Sequence, residues 1–420
     1  MVELEGSESD PPSVRRAHRP GSTAPTLVAA LCCGLALAAT ACGGQPGSGA
    51  VTVRDSADVR IVESPRSLVD RASAWKVAPE PDVVIGAPEG DSSDMLSGVS
   101  GAAQLDDGRI LVVNGGTQEL RFYDGRGRFL TSVGGEGDGP GEYRVPRLVA
   151  VTSGDSIVVS DLRSGRFTVL DGRGRYVRSA TPARFVGLPV GRLSGGRFVT
   201  SLGSAGAGPD TPEGELPDTV RFLAVDAPAG VLDTLAVTPG APIYVWRQGE
   251  TIGFDRVPLT TDPSGAVAGD FVYVALTRAP EIRTYRADGR LVRIARVRGG
   301  LPRLERSEFE AAIRRRVAAA RDEEAAARLR RVYGRMSPPS TRPLFDRLVV
   351  DRLGDVWARR FLPEANDRPR RWTVFEGGRP LGSVDTPAGL RVEEIGEDYV
   401  LGVVVGPLGA ERVERYRLER

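Results

Sequence analysis

The chain repeats itself. Asp107-Gly108-Arg109-Ile110-Leu111-Val112-Val113-Asn114, with Leu120-Arg121-Phe122-Tyr123-Asp124-Gly125-Arg126-Gly127-Arg128-Phe129-Leu130 after it, aligns without a gap on a second stretch. That stretch is Gly154-Asp155-Ser156-Ile157-Val158-Val159-Ser160-Asp161 with Phe167-Thr168-Val169-Leu170-Asp171-Gly172-Arg173-Gly174-Arg175-Tyr176-Val177; Ile110 to Ile157 and Gly127 to Gly174 are both offsets of 47 residues. A fixed period of this length constrains the fold strongly, because a single unit cannot bury its apolar face without its neighbours.

Each unit reads as strand, Asp/Gly turn, apolar strand, loop, alternating strand, Asp-Gly turn, strand. Asp-Gly and Gly-Asp supply the positive φ angles of tight hairpins. The second strand (Ile110 to Val113, Ile157 to Val159) is apolar on both faces and needs cover on both. The third (Glu119-Leu120-Arg121-Phe122) alternates as a half-buried strand does. A four-stranded antiparallel sheet covered on both faces by its neighbours is a propeller blade. The first turn recurs at Gly195-Gly196, Gly269-Asp270, Gly354-Asp355 and Gly396-Glu397, which brings the units to six. The expected fold class is all-β: a six-bladed β-propeller of four-stranded antiparallel blades, over residues 54–420. The last unit runs out of chain after Arg412 to Leu418, so its fourth strand must come from the N-terminal side, or an apolar edge stays open. Val83 to Gly86 is the preferred candidate, and Val59 to Val62 is then an additional strand or a brace.

Two segments depart from the repeat. Ser204 to Asp218, rich in Gly, Pro and acid, reads as a protruding loop. Between units four and five, at about residues 303–335, lies a helical insertion. Ser307 with Glu310 forms a capping box, and Phe309, Ile313 and Val317 form one apolar stripe. The stripe fails at Asp322-Glu323-Glu324 and restarts at Leu329 and Val332, which predicts two short helices. Their arginines (Arg314, Arg315, Arg316, Arg328, Arg330, Arg331) are interspersed with acids and read as a solvated face, with contact to an anionic membrane surface as the alternative.

The N-terminus reads as an address. Arg15, Arg16 and Arg19 precede an apolar run from Thr26 to Ala41 that ends at Cys42, the pattern of a secretory signal peptide. Leu37-Ala38-Ala39-Thr40-Ala41-Cys42 resembles a bacterial lipobox, with Ala39 where Leu is commonest. On this reading residues 1–42 are removed, Cys42 is acylated, and residues 43–53 are a flexible tether. The protein is then exported and anchored by lipid on the periplasmic or cell-surface side of a membrane.

Removal of that segment empties the chain of its single His (His18) and all three Cys (Cys32, Cys33, Cys42). Thiol nucleophiles, imidazole bases and His or Cys metal ligands go with it. A formal charge of +1 exerts no pull on nucleic acid. Arg far outnumbers Lys, of which Lys76 is the one example, and this skew is read as compositional rather than functional.

Glu136, Asp138 and Glu142 lie in a Gly-rich run. They could chelate Ca²⁺ as hard oxygen ligands, or merely share a sharp turn, which is the reading preferred. The run lacks Lys and joins strand to strand, so it is no phosphate loop.

Leu105-Asp106-Asp107-Gly108-Arg109, Gly137-Asp138-Gly139-Pro140-Gly141-Glu142-Tyr143, Arg54-Asp55-Ser56-Ala57 and Arg415-Tyr416-Arg417-Leu418 together resemble the NHL-like six-bladed propellers, and among them a group of bacterial propeller lipoproteins. The resemblance implies the fold and says little of function, since propellers host unrelated activities. Catalytic propellers that rely on His are excluded by composition. Gluconolactonase-like ones hold a metal with Glu, Asp and two Asn, for which this chain offers only Asn114 and Asn366. The favoured function is therefore non-catalytic: one face binds an envelope peptide, glycan or protein partner, with the protein a monomeric ring and no cofactor. The alternative is a metal- or carboxylate-dependent hydrolase or lactonase on the same scaffold. The expected binding face carries Asn114, Glu136, Asp138, Glu142, Tyr143 and Asp161, with Tyr244, Trp246 and Arg247 from the stretch before unit four. Tyr143→Ala and Trp246→Ala are expected to weaken binding and leave thermal stability nearly unchanged.

Overall fold

A computed structural model describes residues 49–420, apart from 88–94, 153, 155, 183–184, 205–207, 209, 227–229, 364–367 and 407–408. Residues 1–48, Cys42 among them, lie outside the described residues, as does Asn366.

Strand follows strand along nearly the whole described chain. The N-terminal segment gives β1 (Thr52–Ser56), β2 (Val59–Ser64), a one-turn helix α1 (Arg66–Asp70), β3 (Lys76–Val77) and β4 (Val83–Ile85). The two matching repeats form β5 (Val99–Gln104), β6 (Ile110–Asn114), β7 (Glu119–Tyr123) and β8 (Phe129–Gly134), then β9 (Pro146–Thr152), β10 (Ser156–Asp161), β11 (Phe167–Leu170) and β12 (Tyr176–Ala180). Each set is a four-stranded antiparallel sheet in sequence order. The third is built from β13 (Leu188–Arg192), β14 (Phe198–Gly203), β16 (Thr219–Asp226) and β17 (Gly230–Pro239). Between its strands β15 (Gly214–Leu216) leaves to pair with β18 (Ile243–Gln248) and β19 (Thr251–Arg256) in a small separate sheet. The stretch read as a loop over 204–218 thus contains a strand.

The fourth sheet holds β20 (Ser264–Ala268), β21 (Phe271–Ala275), β22 (Glu281–Arg286) and β23 (Leu291–Val297), extended by β2 running parallel to β23 and by β1 outside it. Two helices follow, α2 (Arg306–Ala318) and α3 (Glu323–Tyr333). The fifth sheet is β24 (Phe345–Val350), β25 (Val356–Arg360), β26 (Arg370–Glu376) and β27 (Arg379–Thr386). The sixth joins β28 (Arg391–Ile395), β29 (Tyr399–Val405) and β30 (Glu411–Glu419) to the N-terminal β3 and β4. Ile85 pairs with Val413 and Val83 with Arg415. The preferred closing strand therefore takes its expected place, while Val59–Ser64 braces the fourth sheet.

The first strands of the six sheets touch in the closed order β5, β9, β13, β20, β24, β28 and back to β5. Apolar clusters fill the spaces between successive sheets. One joins Val83 and Ile85 to Val112, Leu401 and Val413, and another joins Leu111, Phe122, Tyr143 and Ile157. Sheets packed face to face around a ring of inner strands form a β-propeller.

The helices begin differently from the sequence expectation. Glu305 is the cap of α2, and its carboxylate and that of Glu308 make the reciprocal capping box. Glu310 pairs instead with Arg306 at 3.1 Å. Asp322, where the stripe fails, caps α3 by accepting the Ala325 N–H at 2.8 Å. Among the described residues no helix is long and apolar enough to cross a membrane.

Candidate functional site

The loop from β8 to β9 folds on itself. Tyr143 N–H donates to the Gly135 carbonyl at 2.9 Å and Gly137 N–H to the Tyr143 carbonyl at 3.1 Å. The Glu142 carboxylate accepts the Gly139 N–H at 2.9 Å. A Cβ at Gly137 would stand 1.9 Å from that carboxylate, so this glycine makes room for it. Glu136 and Asp138 both turn to Arg144, each at 2.9 Å. This guanidinium supplies the positive charge that calcium would have brought, and its hydrogen bond holds Asp138 below the ordinary carboxylate range. Among the described residues no three His, Cys, Asp or Glu side chains are grouped to hold a metal. The loop's glycines serve a turn whose purpose is to seat Tyr143.

Tyr143 is fully buried in the cluster between the first two sheets. Burial pushes its hydroxyl up to about 12. It is a plug of the ring, not part of an accessible face. Asn114 is also fully buried; its Oδ1 accepts the Ser97 N–H at 2.9 Å and its Nδ2 donates to Thr117 at 2.8 Å. With both ends engaged in the turn, it is not presented as a metal ligand. Asp161 accepts the backbone N–H groups of Arg144 at 2.6 Å, Arg163 at 2.9 Å and Ser164 at 3.1 Å. Burial raises its pKa, but these donors together outweigh that and hold the carboxyl below its ordinary value.

Tyr244 and Trp246 are buried too, beneath the helices, with Phe309, Val332 and Tyr333. The Trp246 indole donates to Asp255 at 2.8 Å, and the Arg328 guanidinium lies 5.1 Å from the ring centre. The expected thermal neutrality of Tyr143→Ala and Trp246→Ala does not fit this burial, because removing either side chain leaves a cavity. Arg247 is exposed and donates to the Thr211 carbonyl at 2.7 Å.

The structure does bring the β8–β9 loop and the β10–β11 turn together. Arg166 donates from that turn to the carbonyls of Asp138, at 2.7 Å, and of Glu142. Leu162 N–H donates to the Val145 carbonyl at 2.9 Å. Beside this seam opens a pocket of about 300 Å³ between the β10–β11 turn and the chain entering β13. Phe167 and Val186 are buried in its wall, and Phe167 stacks on Phe198 with centroids 4.3 Å apart. Arg163, exposed, and Asp161 supply polar lining. Phe185, 65% exposed, stands at the pocket, and Leu188, 55% exposed, begins the next strand. Isolated exposed apolar residues need no explanation, but an aromatic at the lip of a concave apolar wall does. Phe185 did not belong to the expected face, since it falls in the connection between repeats, where strand alternation gives no signal. A larger cleft of about 670 Å³, between β18–β19 and the helices, is lined chiefly by polar and charged side chains such as Gln248, Arg321, Glu324 and Arg331.

No protein-family model matches the chain, and no curated protein matches it. Among solved structures it is similar to a protein of Bacteroides fragilis described as exported, at 10% identity and TM-score 0.46 over 86% of this chain and 99% of that one. Virginiamycin B lyase from Staphylococcus aureus follows at 8% identity and TM-score 0.38, over 82% and 99%. An aldose sugar dehydrogenase from Streptomyces coelicolor, bound to PQQ, gives 10% identity and TM-score 0.41 over 83% and 100%.

Proposed function

We propose that the chain is an exported lipoprotein, anchored through Cys42, whose NHL-like six-bladed propeller binds a peptide segment of an envelope partner without catalysis. In this reading the six sheets are the blades, and α2 and α3 are an insertion between blades four and five that covers Tyr244 and Trp246. The observation that carries the binding reading is the pocket at Phe185. An apolar wall with an exposed aromatic at its lip and Arg163 at its margin suits a peptide that buries one apolar side chain and pairs a carboxylate. Apolar cores with polar rims characterise such interfaces, and loops on a rigid scaffold carry most recognition.

A photo-crosslinking residue at position 185 tests this in the cell envelope. A discrete adduct is expected there and not from position 176, on the exposed outer strand β12. With the crosslinker kept at 185, Arg163→Glu should abolish the adduct and leave the thermal midpoint unchanged, since Arg163 is an exposed lining residue of the pocket. Equal labelling from both positions would sink the proposal. The anchor has its own measurement: the intact mass of membrane-extracted protein should correspond to a chain starting at a diacylglyceryl-modified Cys42.

A further inference from the structure

At one end of β24 and β25, five guanidinium groups gather around two carboxylates. Arg347 of β24 and Arg359 of β25 are direct cross-strand partners. Like charges directly opposite each other in a sheet are destabilising. Asp346 takes Arg359 at 2.7 Å and Arg370 of β26 at 3.3 Å. From the next sheet, Glu393 of β28 takes Arg391 at 3.1 Å and lies 3.8 Å from Arg347. Arg147, at the start of β9, adds a further positive charge that acts on Arg347. Among the described residues these groups carry three more positive charges than negative ones.

The cluster is neither wholly buried nor solvated. The Arg391 side chain is 44% exposed, Arg347 and Arg359 are partly covered, and Arg370 is only 6% exposed. The Arg370 Nε is buried and has no hydrogen-bond partner among the described residues. A buried donor without a partner costs about 1–3 kcal/mol, more when charged. Other arginine nitrogens are buried without partners too, Arg166, Arg293 and Arg412 among them; at Arg370 the unmet donor adjoins Arg359, which stands directly opposite a second guanidinium, that of Arg347.

We propose that this cluster, at the inner edge of the fifth and sixth sheets, binds an oxyanion of the phosphate class between Arg347, Arg359 and Arg391, with Arg370 behind them. Planar guanidinium forks match the paired oxygens of such a group. A multiply charged ion answers an excess of this size better than a single carboxylate does. The Phe185 pocket is formed by other sheets, so neither proposal depends on the other.

Calorimetric titration of the full chain at neutral pH tests it, with inorganic phosphate and glycerol phosphate as probes and chloride at matched ionic strength as control. One saturable site per chain is expected for phosphate and none for chloride. Arg359→Gln should weaken binding about tenfold or more, as loss of a charge-assisted bond does. Arg371→Gln, whose exposed partner is Asp385 on the adjacent β27, should change nothing. Should Arg359→Gln fail to fold, the exposed Arg391→Gln serves in its place, with weakening of about threefold or more expected. Tighter binding of glycerol phosphate would support the site and assign an esterified ligand; equal binding would support it and assign the free ion. No saturable heat with either probe would overturn the proposal, as would unchanged affinity in both folded variants.

Discussion

Asp161 shows how one side chain sets a turn. Its carboxylate closes the β10–β11 connection by taking three backbone N–H groups, one of them from Arg144 in the neighbouring loop. Side-chain acceptors of this kind replace backbone partners where the ladder ends. The folded pKa is depressed, so the native state binds its proton less readily than the unfolded chain, whose aspartates titrate near about 3.9. The stability it contributes is present above that pH and is lost as pH falls through the folded value. Asp161→Asn is expected to cost about 1–3 kcal/mol at pH 7. The gap between wild type and variant should shrink on acidification below about pH 4. Urea midpoints of the two proteins at pH 7 and in acid measure this, and a gap independent of pH would contradict it. Asp-Gly chemistry made the turns legible in the sequence. Whether Asn114, Tyr143 and Asp161 faced solvent was not, because buried turn residues and ligand-binding ones draw on the same residue types.

At the level of elements, the glycine of the third-to-fourth-strand turn has a second duty in the first two sheets. A Cβ at Gly174 would meet Phe122 and Val133 of the preceding sheet at 2.9 Å, and one at Gly127 would meet the Val84 carbonyl at 3.0 Å. These two turns thus pack against the outer strands of the sheet before them. Gly154 has a similar φ of +76° but open space around it. Gly154→Ala should therefore cost about 1 kcal/mol from backbone strain alone. Gly174→Ala adds overpacking and should cost about 2–4 kcal/mol. Equal losses in thermal unfolding would remove the packing duty from the argument. The helices depend on a comparable contact, since Trp246 is their largest buried partner on the small sheet. Trp246→Ala should cost about 3–5 kcal/mol, with faster amide exchange in α2 and α3 and unchanged exchange in β6. The sequence disclosed both helices through their interrupted stripe but not what they cover, because β18 lies far from them along the chain. It also hid the arginine cluster. Register shifts between Phe345 and Arg347 and between Val392 and Glu394 break the alternation by which a face is read from sequence.

At the scale of the whole molecule, the described residues close their ring in the sixth sheet. β4 adds to β30 in the sixth sheet, and β5 begins the first sheet beside β28. The need for such a junction was legible, since the last repeat lacks a strand and an open apolar edge invites pairing with another chain. The alternation in Val83-Val84-Ile85 fits it: Val83 and Ile85 are buried and Val84 is 46% exposed. Ile85 packs with Leu401, Val403 and Val413, so Ile85→Asp places a carboxylate among apolar partners. Burial of an unpaired charge is among the few substitutions that exceed about 4 kcal/mol. Val84→Thr, one residue away on the same strand but facing outward, should stay within about 0.5 kcal/mol. The two variants separate closure from mere perturbation of the N-terminal segment. Ile85→Asp is expected to lower the thermal midpoint sharply and to release the amides of Val413 and Arg415 to exchange first, because β4 is their outer neighbour. If those amides stayed protected while the rest of the ring exchanged, β4 would be an accessory to the ring rather than its clasp.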